Sequence, residues 1–342
     1  GYPVLHLKGT PEEMGRQHGV LLREHIAANV AFLLRDDPDE GIRIGDATLT
    51  RPMLADLLNK AFAGKVPEPY LAEMRSLAEG AGLPPEKAIA CNLIPELFHC
   101  SGFALLAKVT GDGKLYHGRV LDYAIDQRLQ EHAVLILQEP DGKIPFANVS
   151  YAGFIGSVTG MNAEQISIGE MGGGGVGLWN GIPMSLLVRM VLEEARTLDQ
   201  AIAVFKDHPR TCEYYYVIAD ARADTAVGMW AVPDKIELVR PGEAHPLLPT
   251  PIEHTVLLSA GDRYRKLVER VREGTGTFTA QSAIRLMDAP VAMRSNLHNA
   301  LMVPADGVLY VANAKPDKAP AWKQKYHRFD VRRLLAERPK AD

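Results

Sequence analysis

Three short stretches decide how this chain is read: His99-Cys100-Ser101-Gly102-Phe103, the turn Gly111-Asp112-Gly113, and Gly118-Arg119-Val120-Leu121-Asp122-Tyr123. A helix-like segment ends near Leu97, and a strand-like run from Phe103 to Val109 follows. The glycine-bounded turn then leads into a second strand-like run. A small thiol therefore opens a hairpin, and an Arg and an Asp return on the partner strand. An N-terminal-nucleophile hydrolase needs that arrangement. In that reading the chain cuts itself between His99 and Cys100, and Cys100 becomes both nucleophile and new amino terminus.

The reason is chemical. Cysteine attacks as thiolate and needs a base nearby. An amino-terminal Cys carries its own base, an α-amine whose ordinary pKa of about 7.7 to 8.0 suits proton transfer near neutrality. Asp122 is placed to hold the α-ammonium or the thiol proton. Arg119 is placed to stabilise the thiolate and orient Asp122 through paired hydrogen bonds. The competing reading is a plain surface ion pair at a strand end.

Outward from this core, residues 1–99 read as mainly helical. Thr10-Pro11-Glu12-Glu13 is a capping box with proline at the first helical position. Met14, Leu21, Leu22, Ile26, Val30, Leu33 and Leu34 then recur at helical spacing. Further helices are expected over 51–62, over 69–79, and from Pro84 towards Leu97 with a break at Pro95. After Cys100 the pattern turns to strands at 134–139, 146–151, 155–159, 166–170, 214–219, 226–231, 236–239, 299–303 and 308–312. Helix pairs interrupt them at 183–196 and 198–207, and at 262–272 and 279–287. The tail from Ala314 is expected to wrap the surface. Hairpin runs broken by helix pairs predict an α+β chain with antiparallel sheet and segregated helices.

The chain has 342 residues, 46% hydrophobic and 23% charged, enough for a sizeable core. The net charge of −4 and the lack of a basic run point away from nucleic acid. No apolar run reaches the roughly 18 residues of a membrane span. The start at Gly1 is read as processed or trimmed, in a protein that is cytoplasmic or exported with its signal removed. Three cysteines, Cys91, Cys100 and Cys212, do not suggest a disulfide framework, and no metal site is expected.

Gly160-Met161-Asn162 is read either as an oxyanion turn, with the Asn162 N–H as donor, or as an ordinary hairpin turn. The run Met171-Gly172-Gly173-Gly174-Gly175-Val176-Gly177 lacks the Gly-Lys-Ser/Thr ending of a phosphate loop. A pocket rim or a close crossing of backbones is expected there. Trp179, Glu170 and Tyr123 are assigned to the substrate cleft. His298 is the partner for Cys100 in an alternative, unprocessed Cys-His hydrolase, and a catalytically inactive binding relative is the third reading.

The motifs resemble those of the acyl-CoA:6-aminopenicillanic acid acyltransferase-like family, the C45-type self-cleaving peptidases among the N-terminal-nucleophile hydrolases. The carriers are Gly9 to Gly19, Cys100-Ser101-Gly102-Phe103, Gly118 to Tyr123, Gly160-Met161-Asn162 and Asn296 to Ala312. The resemblance implies an αββα sandwich of two antiparallel sheets. It implies self-cleavage into 1–99, retained as a small chain, and 100–342, which carries the catalytic core. It also implies acyl hydrolysis or transfer at a linear amide through a thioester, with Cys100, Arg119 and Asp122 as the centre and Asn162 as an oxyanion donor. The sequence departs from the family at Tyr215, which stands near an expected second oxyanion-donor Asn, and at Val120, where relatives often have Asn. No cofactor is implied beyond acyl-CoA as a co-substrate. The expected partners are a small acyl amide or peptide, the chain's own 1–99 piece after cleavage and a second copy in a homo-oligomer.

Overall fold

Thr10 begins the first helix as the sequence predicts: its hydroxyl accepts from the Glu13 N–H and its own N–H donates to Glu13 Oε2 at 2.8 Å. The computed structural model describes residues 1–37, 39, 42–44, 47–93, 99–123, 125–174 and 177–337. Its first elements are β1 (Val4–Gly9), α1 (Pro11–Leu21), α2 (Arg23–Leu33), β2 (Ile42–Ile44), β3 (Ala47–Leu49), α3 (Arg51–Ala61), α4 (Glu68–Ala81) and α5 (Pro85–Leu93). The single long helix expected from Met14 to Leu34 is two, broken at Leu22. Gly15 and Gly19 let α1 lie directly on α4. A Cβ at either would stand 2.2 Å from a backbone oxygen, of Glu73 and Leu77 respectively. The expected break at Pro95 lies outside the described residues.

The second half continues with β4 (His99–Leu105), β5 (Tyr116–Asp122), β6 (Ala133–Pro140), β7 (Phe146–Tyr151), β8 (Thr159–Asn162), β9 (Ile166–Gly172), α6 (Met184–Glu194), α7 (Leu198–Asp207), β10 (Tyr214–Asp220), β11 (Thr225–Ala231) and β12 (Ile236–Val239). It closes with β13 (Thr255–Leu258), α8 (Gly261–Gly274), α9 (Ala280–Arg285), β14 (Asn296–Val303), β15 (Val308–Asn313), β16 (His327–Asp330) and α10 (Val331–Ala336). Three expectations change here. The strand placed at 103–109 begins at His99 and yields to a 3₁₀ turn over Ala107–Val109. The strand placed at 155–159 lies instead at Thr159–Asn162. The segment 1–99 also holds a core strand, β1.

Two sheets form. One runs β1-β6-β7-β8-β9-β10-β11-β12 and the other β13-β4-β5-β14-β15-β16. All neighbours are antiparallel except β1, which pairs parallel with β6. The sheets lie face to face, with β4 and β5 over β9. Helices α6 and α7 cover the eight-stranded sheet, where Phe205 meets Tyr216 with ring centroids 4.5 Å apart. Helices α8 and α9 cover the six-stranded one, packing Leu267, Val271 and Ile284 on Phe103 and Tyr116. This is the expected αββα sandwich.

A buried ion network ties the amino-terminal helices to this core. Arg189 on α6 meets Glu73 on α4 at 2.7 Å and Glu193 at 2.7 Å. Tyr70 donates to Glu193 at 2.8 Å, and Arg189 also reaches the Ile155 carbonyl at 3.0 Å. Each charge is met by hydrogen bonds, as burial requires.

Candidate active site

The period-two geometry of a strand sorts the central residues between the two faces of the six-stranded sheet. Cys100 pairs with Leu121, Gly102 with Arg119 and Ala104 with His117. These pairs face the other sheet: a Cβ on Gly102 would meet Met171 Sδ of β9 at 2.8 Å. Ser101, Phe103 and Asp122 alternate onto the opposite face, against α8 and α9. The spacing of three between Arg119 and Asp122 therefore puts their side chains on opposite sides. The expected pairing of Arg119 with Asp122 does not form.

Each finds a different partner. Arg119 is fully buried and its Nη2 reaches Glu170 Oε2 at 3.4 Å. Its Nε and Nη1, Glu170 Oε1 and His117 Nε2 are buried with no hydrogen-bond partner. Asp122 instead pairs with Arg263 of α8, and its Oδ1 accepts the Met293 N–H at 2.9 Å. Arg263 also donates to Ser101 Oγ at 2.7 Å and to the Val291 carbonyl at 2.8 Å. Ser101 Oγ lies 2.7 Å from Ser259 Oγ. Arg263 was not legible in advance, because α8 also carries Arg265, Arg270 and Arg272 and nothing local marks one of the four.

Burial pushes the Cys100 thiol up to about 11; the neighbouring Arg119 charge and the Asp122 backbone N–H, which donates to the sulfur, pull the other way. Glu170 is raised to about 7 by burial, against the pull of Arg119. Asp122 is also raised by burial, opposed first by Arg263. Burial and then Arg119 lower His117 to about 3, and lower His298 well below its usual range, so both rings are neutral.

His298 is not a partner for Cys100. It pairs with Leu121, so it stands two strands from Cys100, roughly 10 Å across the sheet. Its ring nitrogens meet Tyr151 Oη at 2.8 Å and Thr159 Oγ1 at 3.0 Å.

The side chains of the two expected oxyanion residues have partners of their own. Asn162 sits at the far end of β8. Its amide donates to the Leu192 and Ala195 carbonyls at 3.1 and 2.8 Å, and its Oδ1 accepts the Glu164 and Ile166 N–H groups at 3.0 Å each. That is a turn residue that also caps α6. The Tyr215 hydroxyl has one proton, and it goes to Glu213 Oε1 at 3.1 Å.

Tyr123 lines an apolar cavity of about 60 Å³ with Leu33, Leu121, Tyr151, Phe154 and Leu297. Leu121, which lines this cavity, is the direct cross-strand neighbour of Cys100. Trp179 packs instead against Phe62 just past α3, with its carbonyl accepting from Lys65 at 3.1 Å. The side chain of His99 lies outside the described residues.

Residues 109–246 match the family model described as acyl-coenzyme A:6-aminopenicillanic acid acyl-transferase. The chain is 25% identical to protein dcd1B of Dictyostelium discoideum, over 98% of its own length and 75% of that protein. It is 25% identical to the N-acylethanolamine-hydrolyzing acid amidase of Mus musculus, over 48% of each. It thus spans about half the length of that relative. The solved structure of a Caenorhabditis elegans ortholog of the same amidase overlays 67% of this chain and 100% of its own, at 17% identity and a TM-score of 0.48. The matched stretch, residues 109–246, is the one that holds Arg119, Asp122 and Glu170.

Proposed function

We propose that this protein is a self-processing cysteine amidohydrolase or acyltransferase that acts on a linear amide bond. The observation that carries the reading is the setting of Cys100. Its thiol opens a strand beside the buried Arg119 and takes a hydrogen bond from the Asp122 N–H, and its cross-strand neighbour Leu121 lines an apolar cavity. The kinship to acid amidases supports the same class of chemistry.

In the first step the thiol adds to the His99 carbonyl, and the C–N bond to Cys100 gives way to a C–S bond. Water then hydrolyses this ester-like link, leaving His99 with a carboxylate and Cys100 with a free amine. In turnover the α-amine takes the thiol proton and passes it to the leaving amine. The acyl group stays on sulfur until water or an amine accepts it. Arg119, with two guanidinium nitrogens free of protein partners, stabilises the thiolate and the developing oxyanion. The apolar cavity receives the acyl portion. Candidate substrates are N-acyl amino acids, β-lactam precursors, small peptides and lipid amides, with acyl-CoA as an acyl donor in the transfer mode.

A denaturing gel tests the reading. Purified protein should run as two pieces, 1–99 and 100–342, and Cys100→Ala as one. An intact wild-type chain with thiol-dependent activity would sink self-processing. An intact chain unreactive towards acyl amides and thiol probes would point to the inactive relative.

A further inference from the structure

We infer that Glu213 selects the amine half of the substrate and favours an amine that carries a positive charge. This rests on the amide-cleaving reading above and extends it to the leaving group.

Glu213 leads into β10. Its Oε1 accepts from Tyr215 Oη at 3.1 Å and from Trp230 Nε1 at 2.7 Å. Two donors on one oxygen hold the carboxylate in a single orientation, half-buried between aromatic rings. Lys235 stands over the Trp230 indole at 5.4 Å, but its ammonium pairs with Glu237. Side chains on the glycine run would crowd Glu213. A Cβ at Gly173 would stand 2.3 Å from the Glu213 carbonyl oxygen, and one at Gly174 would stand 3.1 Å from Oε2. Glycine at 173 and 174 lets this strand pass over Glu213 without covering its carboxylate.

The position relative to the thiol follows from register. Tyr215 and Trp230 are directly paired, so they share a face. Tyr215 also pairs with Met171, whose sulfur abuts Gly102, two residues after Cys100 on the same face. The apolar cavity lies on the other flank of the thiol, lined from β5, β7 and the start of β14 by Leu121, Tyr151 and Leu297. In the eight-stranded sheet, β8 and β9 separate β7 from the β10–β11 pair. An amide with its carbonyl at Cys100 and its acyl chain in the cavity therefore sends its amine towards Glu213. A carboxylate bracketed by Tyr and Trp rings attracts an ammonium by charge and by the ring faces, and it repels a carboxylate.

The test uses three amides with one acyl group and different amines: a diamine whose far end is an ammonium, ethanolamine, and glycine with its carboxylate. Their binding is measured by calorimetry on the processed form without its thiol, residues 1–99 co-expressed with a separate 100–342 piece that carries Cys100→Ala at its amino terminus. The cationic amide should bind at least about tenfold tighter than the anionic one, the scale of a charge-assisted hydrogen bond. Glu213→Gln in the same background should abolish that preference and leave the ethanolamide within roughly twofold, since the Gln oxygen still accepts from Tyr215 and Trp230. Equal or undetectable binding of all three overturns the assignment, as does a ranking that Glu213→Gln leaves unchanged. Turnover by the wild-type protein is read separately: release of no amine from any of them sinks the hydrolase reading, while the binding order still decides the role of Glu213.

Discussion

Cys100 and Asp122 are coupled through the backbone of Asp122 and not through its side chain: the Asp122 N–H donates to the thiol, while the carboxylate turns through the sheet to Arg263. Arg263 thus fixes the strand that aims the N–H at sulfur. Arg263→Met should leave a buried carboxylate unpaired and destabilise the protein by about 3–5 kcal/mol. Thermal melting would measure this. Arg263→Lys should recover only part of it, because one ammonium cannot hold Asp122, Ser101 and the Val291 carbonyl together.

Glu170 predicts a pH effect. Its folded pKa, about 7, lies above the ordinary value of 4.5. The folded state therefore binds this proton more tightly than the unfolded one. The resulting stability is complete below 4.5 and is lost as pH rises through about 7, a change of up to ~3 kcal/mol. Glu170→Gln cannot ionise, so its melting temperature should fall less than that of the wild type between pH 5 and 8. Parallel curves for the two proteins would refute this.

Gly169 lies beneath Arg119: a Cβ there would stand 2.6 Å from Arg119 Cγ. Gly169→Ala should displace the guanidinium and cost about 1–3 kcal/mol through overpacking. It should also slow fragment formation on a gel by at least tenfold, although the thiol and the scissile bond are untouched. Cleavage at the wild-type rate would show that Arg119 is not needed where it stands.

The neutral, doubly bonded His298 predicts a null result. His298→Gln should still form fragments within about fivefold of the wild-type rate, with some loss of stability from its Tyr151 and Thr159 contacts. A loss of cleavage as complete as in Cys100→Ala would restore a Cys-His pair.

The cavity beside Leu121 should set acyl length. Leu33→Phe, contributed from α2, should lower kcat/KM for long acyl amides by about tenfold and spare short ones, at a stability cost of roughly 1–3 kcal/mol. Equal losses for both lengths would place the acyl chain elsewhere.

The elements that were legible are those with local signals. Strand β7, helix α7 and strand β12 fall where alternation, helical period and turn residues put them. Strand β1 was missed because it pairs with β6, far along the chain, without a local turn to announce it. Strand β13 is four residues, Thr255 and three apolar ones, too short for a period to show. At the site, Cys100, Arg119 and Asp122 were found as a group, and their separation onto two faces was implicit in an odd spacing. Glu170 was named, but for the substrate cleft; its pairing with Arg119, and Arg263 altogether, were beyond reach, since these partners arrive from a distant strand and helix. The side-chain partners of Asn162 and Tyr215 were not legible either, because a short motif carries no record of which carbonyl or carboxylate its donors will meet.

Strand β1 has one more implication. It borders the eight-stranded sheet, covering the row of amide and carbonyl groups on β6. If the chain divides at Cys100, the larger fragment does not own the strip that seals its sheet. Stripped of residues 1–99, it would present β6 as a bare template on which other chains could stack. The small fragment would then act as a guard against aggregation, and the larger fragment expressed by itself should collect in insoluble material, while co-expression of the two pieces should keep it in solution.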